Sequence, residues 1–296
     1  MHITLRQLQI FRAVAQCARV TAAAETLHIS QPAASMALSE LEKHLGPLFD
    51  RHQGSSLTLN DSGRALLPKA CELMDRTAEI EAQFSGDASY RHGFLIVNAS
   101  STIGNNLMPY ILGNFTDKNP DIRVEMTIEN THQIERRLLD FDIDMGVVEG
   151  ISLHPDIEAT PWSSDELVIV CPPNHPLANQ RVNLSDLAQE HWILRESGSG
   201  TRALFDEIVA PGIGQPAIKM VLNRSEAIKE AVTEGQGLTC ISALSVKRSI
   251  KKGNMGRIFV RDLKLQRHFY LLVHKQKYRS CILNRLFNFI LQFPVQ

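Results

Sequence analysis

The stretch Val20–Gly46, VTAAAETLHISQPAASMALSELEKHLG, decides how the chain begins. Thr21 reads as the cap of a short helix over Ala22–Leu27, with Glu25 in the first turn where the helix dipole favours an acid. His28 and Ile29 leave room only for a tight connection. Ser30 then caps a second helix, and Pro32 falls in its first turn, where no intrahelical donor is lost. Ala34, Leu38, Leu41 and Leu45 recur at three- and four-residue steps as a buried stripe, and Gly46-Pro47 ends it. Two helices joined by so short a turn form a helix-turn-helix. Away from the stripe, the second helix carries Gln31, Pro32, Ser35, Met36, Ser39 and Lys43. Its leading turns hold neither acid nor bulk, which suits a helix that enters a DNA major groove. The same pattern also fits a three-helix bundle with a neutral surface, because this geometry has uses other than DNA binding.

Working outward, Thr4-Leu5-Arg6-Gln7 reads as a capping box that starts a preceding amphipathic helix with Leu5, Leu8, Phe11 and Ala15 on one face. After Asp50-Arg51, the run HQGSS is a turn between two extended segments, a small wing. Arg51 on that wing is placed to meet a phosphate. In residues 1–60 the cations Arg6, Arg12, Arg19, Lys43 and Arg51 outnumber Glu25, Glu40, Glu42 and Asp50 by one. Phosphate attraction is therefore modest, and two copies are needed to double the contacts.

Leu59, Gly63, Leu66, Ala70, Leu73, Thr77, Ile80 and Phe84 then alternate in steps of four and three, a heptad seam. A helix over residues 61–85 would be roughly 37 Å long at 1.5 Å per residue. Its apolar stripe is narrow, and a second copy of the chain is the expected partner, with packing inside the chain as the alternative. Pro68 removes one hydrogen bond near its start and predicts a bend there.

The whole chain has 296 residues, enough for two modules, and is 44% apolar and 21% charged, the composition of a chain able to bury a core. The formal net charge of -1 shows no global basic excess, so a nucleic-acid partner would have to be met by a local face. Cys17, Cys71, Cys171, Cys240 and Cys281 are scattered and odd in number, which argues against a disulfide framework or zinc site and for a reducing cytoplasm. MHITLRQLQIF is not a signal peptide, and no apolar run reaches membrane-spanning length, so no membrane partner is expected.

Ser85-Gly86-Asp87-Ala88-Ser89 breaks the composition and reads as a linker. Beyond it, strand-like runs at Phe94–Ala99, Asp121–Ile128, Ile143–Val148, Leu167–Cys171, Trp192–Leu194, Ile218–Leu222 and Leu238–Ser242 alternate with helical ones, which implies an α/β body with mostly parallel sheets. Arg257–Arg261 and His268–Val273 add two strands, and Cys281–Leu291 a last helix. Two loops gather hydroxyls where a strand ends and a helix begins: Ser100-Ser101-Thr102-Ile103-Gly104 and Ser197-Gly198-Ser199-Gly200-Thr201-Arg202. Each is suited to an anion, and the pair predicts a cleft between two similar lobes. Arg202 adds a fork of donors, and Glu149, ending the Ile143 strand, points near the same cleft. A carboxylate there either carries a proton, orients Arg202, or selects a ligand with its own proton or amine. Neither loop has an aromatic residue, so a small inorganic oxyanion such as sulfite or sulfate is favoured, with a small carboxylate as rival. The loop SGSGT lacks the Gly-Lys-Ser/Thr ending of a P-loop, Ser199 has no His/Asp pair spaced to activate it, and the eleven histidines show no ligand spacing. No enzyme, metal or cofactor is expected.

The motifs over residues 4–66 resemble the LysR-type transcriptional regulators: L-x-x-F, A-A-x-x-L, S-Q-P-A-x-S, L-E-x-x-L-G, L-F-x-R and L-T-x-x-x-G, in that order. RESGSGTR, SEAIKEAV and G-Q-G-L continue the match through the rest of the chain. The resemblance implies a winged helix-turn-helix DNA-binding domain over residues 1–60, a dimerising linker helix and hinge over 61–92, and a periplasmic-binding-protein-like effector domain over 93–296. Its first subdomain would span about 93–162 and 268–296, and its second about 163–267, with the chain crossing twice, near Trp162–Ser164 and Leu265–His268. It implies a DNA-binding regulator controlled by a small ligand between these subdomains, acting as a dimer or tetramer on double-stranded DNA. SSTIGN, VVEG, RESGSGTR and NRSEAIKEAV are most similar to the branch that includes CysL-type regulators of sulfur metabolism. There are departures: Gly54 stands where the family's wing often has a second Arg, and Met36 and Ala37 where many members have Arg or Gln.

Overall fold

A computed structural model describes residues 3–51, 56–84, 93–150, 152 and 154–295. The wing tip and the Ser85–Ser89 linker lie outside the described residues. The chain opens with α1 (Leu5–Cys17), α2 (Val20–Thr26) and α3 (Gln31–Leu45), followed by a hairpin of β1 (Phe49–Arg51) and β2 (Leu57–Leu59). The capping box at Thr4 forms as read: Gln7 N–H donates to Thr4 Oγ1 at 3.2 Å, and Thr4 N–H to Gln7 Oε1 at 2.8 Å. Ser30 Oγ accepts from Ala33 N–H at 3.4 Å. The cap assigned to Thr21 does not form. Arg19, in extended conformation, is the N-cap of α2, and Thr21 lies inside the helix. Leu8, Phe11, Val14, Ala23, Ala34, Leu38 and Leu41 close the core of this head.

The long helix α4 (Asp61–Phe84) starts after Leu59, which belongs to β2, and Asn60 Oδ1 accepts from Gly63 N–H at 2.9 Å to open it. The seam divides. Gly63 and Ala70 are buried along with Leu67 and Cys71, and the last three apolar positions stay uncovered, Leu73 at 48%, Ile80 at 58% and Phe84 at 76% exposure.

The body that follows has two lobes. The first holds β3 (Gly93–Ala99), α5 (Ser101–Asn106), α6 (Met108–Lys118), β4 (Ile122–Ile128), α7 (Thr131–Leu139), β5 (Met145–Glu149) and the start of β6 (Ile157–Cys171). The second holds the end of β6, then β7 (Arg181–Val182), β8 (His191–Arg195), α8 (Gly200–Leu204), α9 (Ala210–Ile213), β9 (Ala217–Leu222), α10 (Ser225–Thr233), β10 (Thr239–Ser242), α11 (Ala243–Lys251) and β11 (Gly256–Val260). The chain returns through β12 (Gln266–His274) and ends in α12 (Cys281–Leu291). Trp192 is fully buried in the second lobe, its ring 4.9 Å from that of Phe205.

The expectation of mostly parallel sheets is corrected. Pairing is parallel for β3 with β4 and β5, for β8 with β9 and for β7 with β11. It is antiparallel for β12 with β5 and β6, and for β6 with β10 and β11. The reason is the double passage between lobes. β6 pairs with β12 over Ile157–Glu166 and with β10 over Leu167–Val170, so one strand serves both sheets, and the returning β12 must run against it. The helical run after β3 is two helices, α5 and α6, broken at Leu107, with a proline at the start of α6 where it is tolerated. No helix of the described residues is long and apolar enough to cross a membrane.

Candidate functional site

The two hydroxyl loops do meet, and the group that joins them is Arg267, which the sequence reading did not name. Arg267 sits on β12 with its side chain 4% exposed. Nη2 donates to Thr102 Oγ1 of the first lobe at 3.1 Å, and Nη1 to Thr201 Oγ1 of the second at 2.9 Å. Nε and Nη2 both donate to Asp165 Oδ2, at 2.8 and 2.7 Å, while Asp165 Oδ1 accepts from the Ser242 hydroxyl at 2.8 Å. Glu149 Oε1 stands 3.7 Å from Nη2. Burial pushes the Asp165 carboxyl up, and Arg267 and Ser242 oppose that.

Ser100, Ser101, Thr102, Glu149, Ser199 and Thr201 are all buried around this guanidinium or the adjoining lobe contact, and Gly200 is half-buried. Among the described residues Ser100 Oγ has no hydrogen-bond partner. Ser101 Oγ lies 3.0 Å from Ser225 Oγ across the lobes. A Cβ on Gly200 would come within 2.6 Å of the Glu149 carbonyl oxygen, so only glycine permits this approach. His132 N–H donates to the Gly198 carbonyl at 3.3 Å, Asn130 Nδ2 to Glu196 Oε1 at 3.1 Å, and Asn106 Nδ2 to Ser245 Oγ at 3.0 Å. The lobes are thus closed on each other by polar contacts. Beside them a cleft of about 340 Å³ opens between Ser101, Thr127, Asn130, Arg195, Asn223 and Arg224.

Arg202 does not join this group. Its Nε donates to both carboxylate oxygens of Asp206, at 2.9 and 2.8 Å, and Nη1 to the Arg195 carbonyl at 3.1 Å. The helices that the two loops open are α5, of six residues, and α8, which continues through a π-helical turn over Phe205–Val209 into α9, and the formal positive charge between the loops is that of Arg267. A signal for Arg267 and Asp165 was present in the sequence. Arg267 is in phase with Phe269, Leu271 and Val273, and Asp165 with Leu167, Ile169 and Cys171, so each is a charge on the buried side of a strand.

No group of three or more His, Cys, Asp or Glu side chains among the described residues could hold a metal ion. Burial pushes the thiol of Cys171 up to about 11 and that of Cys240 up to about 12, so neither is a thiolate near neutral pH.

On the head, Gln31, Pro32, Met36 and Ser39 are exposed and Ser35 is half-buried, with Met36 at 67% exposure. The acids of α3 are engaged elsewhere. Glu40 pairs with Lys43, and Glu42 accepts from Leu48 N–H at 2.9 Å. Arg51 is exposed on β1. Ser30 caps the helix that carries this face.

A helix-turn-helix head, a long helix and a two-lobed body with a polar cleft at the double crossover define a DNA-binding, ligand-responsive regulator. Residues 5–64 match the family described as "Bacterial regulatory helix-turn-helix protein, lysR family", and residues 89–294 match "LysR substrate binding domain". The chain belongs to the LysR family of transcriptional regulators. It is 38% identical to the "Uncharacterized HTH-type transcriptional regulator YeiE" of Escherichia coli K12, over 98% of this chain and 97% of that one. It is 29% identical to the "HTH-type transcriptional regulator CysL" of Bacillus subtilis, over 88% and 87%. Among solved structures, the "Effector binding domain of QuiR in complex with shikimate" superposes with a TM-score of 0.62 at 27% identity, covering 68% of this chain and 96% of that one.

Proposed function

We propose that this regulator reads DNA through Gln31, Ser35, Met36 and Ser39, with Pro32 beside them and Ser30 and Arg51 on phosphates. What supports the reading is a helix face that is exposed and free of unpaired acid. Glutamine suits adenine, and a methionine suits a thymine methyl. The domain division is 1–60 for the head, 61–92 for the linker and 93–296 for the effector domain, and the protein acts in the cytoplasm. It does so as a homo-oligomer through Leu73, Thr77, Ile80 and Phe84, of which Leu73, Ile80 and Phe84 stay exposed among the described residues and Thr77 is half-buried.

The effector is a small oxyanion of the sulfite or sulfate kind, bound where Ser100, Ser101 and Thr102 face Ser199, Gly200, Thr201 and Arg267, with Arg202 outside the set. The carrying observation is Ser100 Oγ, a buried hydroxyl without a partner beside the Arg267 cluster. Such a group costs free energy until a ligand satisfies it. Asp165 and Glu149 lie against the same guanidinium, so of the two a fully ionised dianion such as sulfate is disfavoured against sulfite. An anion that carries its own proton, as hydrogensulfite does, gives Glu149 a hydrogen bond instead. A small carboxylate is the rival, and shikimate in the QuiR domain is a carboxylate of that kind. An anion sharing donors from both lobes binds the closed arrangement better than the open one, and that difference is what an effector needs to shift the equilibrium.

Three measurements test this. In a retardation assay on upstream DNA, the protein gives a sequence-dependent shift, and Gln31→Ala with Ser35→Ala weakens specific binding by a few kcal/mol, at about 1–3 kcal/mol per good base contact. Unchanged affinity and preference in that variant would remove the assignment. In titration calorimetry, sulfite binds the wild type and binds Thr201→Val at least about tenfold more weakly, one lost hydrogen bond to a charged ligand; equal binding of a confirmed effector by both contradicts the two-loop site. In sedimentation, Leu73→Glu with Ile80→Glu dissociates the assembly, because like charges then meet their own copies. A folded assembly of unaltered mass shows that the stripe packs elsewhere.

A further inference from the structure

The head and α4 rest on the first lobe through two separate points. At the first, Phe141, in the turn after α7, belongs to the head's apolar cluster, which also holds Phe11, Val14, Leu67 and Cys71, while its ring centre lies 4.3 Å from that of His274 in its own lobe. Its φ of 56° is a left-handed conformation that bulky side chains rarely adopt. Residues held in that way persist where the surroundings over-determine them, and they mark functional contacts. Beside it, Gln16 Nε2 of α1 donates to Asp142 Oδ1 at 3.0 Å.

The second point is polar, with one buried side chain at its centre. Lys277, its side chain 7% exposed, bridges Asp75 of α4 at 2.9 Å and Asp144 of the first lobe at 2.8 Å. Glu79 of α4 accepts from the Tyr278 hydroxyl at 2.8 Å and from Cys281 N–H at 3.2 Å. The Arg76 guanidinium lies 4.3 Å from the centre of the Tyr278 ring.

Close by, a cavity of about 950 Å³ is lined by Leu67, Pro68 and Lys69 of α4 and by Phe141, His154 and His274 of the lobe. This is not the continuous packing of a single core. Each contact depends on a particular partner at a particular angle, so the set fixes orientation.

We propose that Phe141, Lys277 and Glu79 form an intramolecular lock that fixes the direction of the recognition helix relative to the first lobe. The head, α4 and the first lobe then move as one body. An effector acts by shifting the second lobe against that body, not by swinging a loosely tethered head. This holds whichever ligand occupies the cleft.

Hydrogen exchange with mass spectrometry on the full-length protein reads the lock directly. Lys277→Met raises exchange at residues 141–144 and 277–281 about tenfold, while peptides from α1, α2 and α3 keep their wild-type rates, so the head stays folded but is released. A functional readout accompanies it, on a duplex selected from a random pool with the wild type. Inserting about five base pairs, half a helical turn, between the half-sites weakens wild-type binding about tenfold and the Lys277→Met protein less than about threefold, because freed heads tolerate the rotation. Where Lys277→Met does not accumulate as folded protein, Gln16→Ala with Tyr278→Phe, which removes no charge, is expected to move both readouts in the same direction. Unchanged exchange in the two turns, or raised exchange with an undiminished spacing penalty, overturns the proposal.

Discussion

The structure depends on a single buried positive charge. Arg267 reaches Thr102 in the first lobe, Thr201 in the second and Asp165 on the strand shared by both, with Glu149 beside it. A guanidinium taken out of water is tolerated only when its donors are satisfied, and breaking a buried pair of this kind costs about 3–5 kcal/mol. The partners can be satisfied together only when the lobes are close. The same arginine therefore ties the closure of the two lobes to one strand. Its position on β12 is no accident of packing, because β6 and β12 are the two strands that pass between lobes.

The long helix has a comparable division of labour. Leu67, Ala70 and Cys71 of α4 belong to the head's core, Asp75 and Glu79 reach the first lobe, and Leu73, Ile80 and Phe84 stay exposed. A helix used on three sides cannot change its relation to one body without disturbing the others.

Much of this was legible in the sequence, because short-range rules set it. The capping box at Thr4, the Ser30 cap, three of the four members of the α3 stripe, Ala34, Leu38 and Leu41, and the alternation of strands with helices all follow from local periodicity, and the structure has them, while the fourth, Leu45, at the helix end, is exposed. The cap at Thr21 failed because an extended Arg19 starts α2 without any side-chain bond. The two hydroxyl loops were found, but their partner was not. Arg267 lies far along the chain from both, and only the double crossover, itself inferred from family resemblance, brings it there. Arg202 misled for the opposite reason. Its neighbourhood in sequence favoured the cleft, yet Asp206, four residues on along the same helical path, took its donors. The antiparallel pairing of β6 and β12 was hidden because strand direction is a property of topology, which periodicity does not encode.

The central claim is that Arg267 couples two lobes that do not otherwise share these hydroxyls. A double-mutant cycle on unfolding free energy, with Thr102→Val, Thr201→Val and the pair, measures that coupling in the full-length protein without any ligand. The account predicts an interaction energy of about 0.5–1.5 kcal/mol in the wild-type background, vanishing when Arg267 is replaced by Met. Effects that add to within about 0.3–0.5 kcal/mol in the presence of Arg267 would contradict it, since independent sites behave in that way.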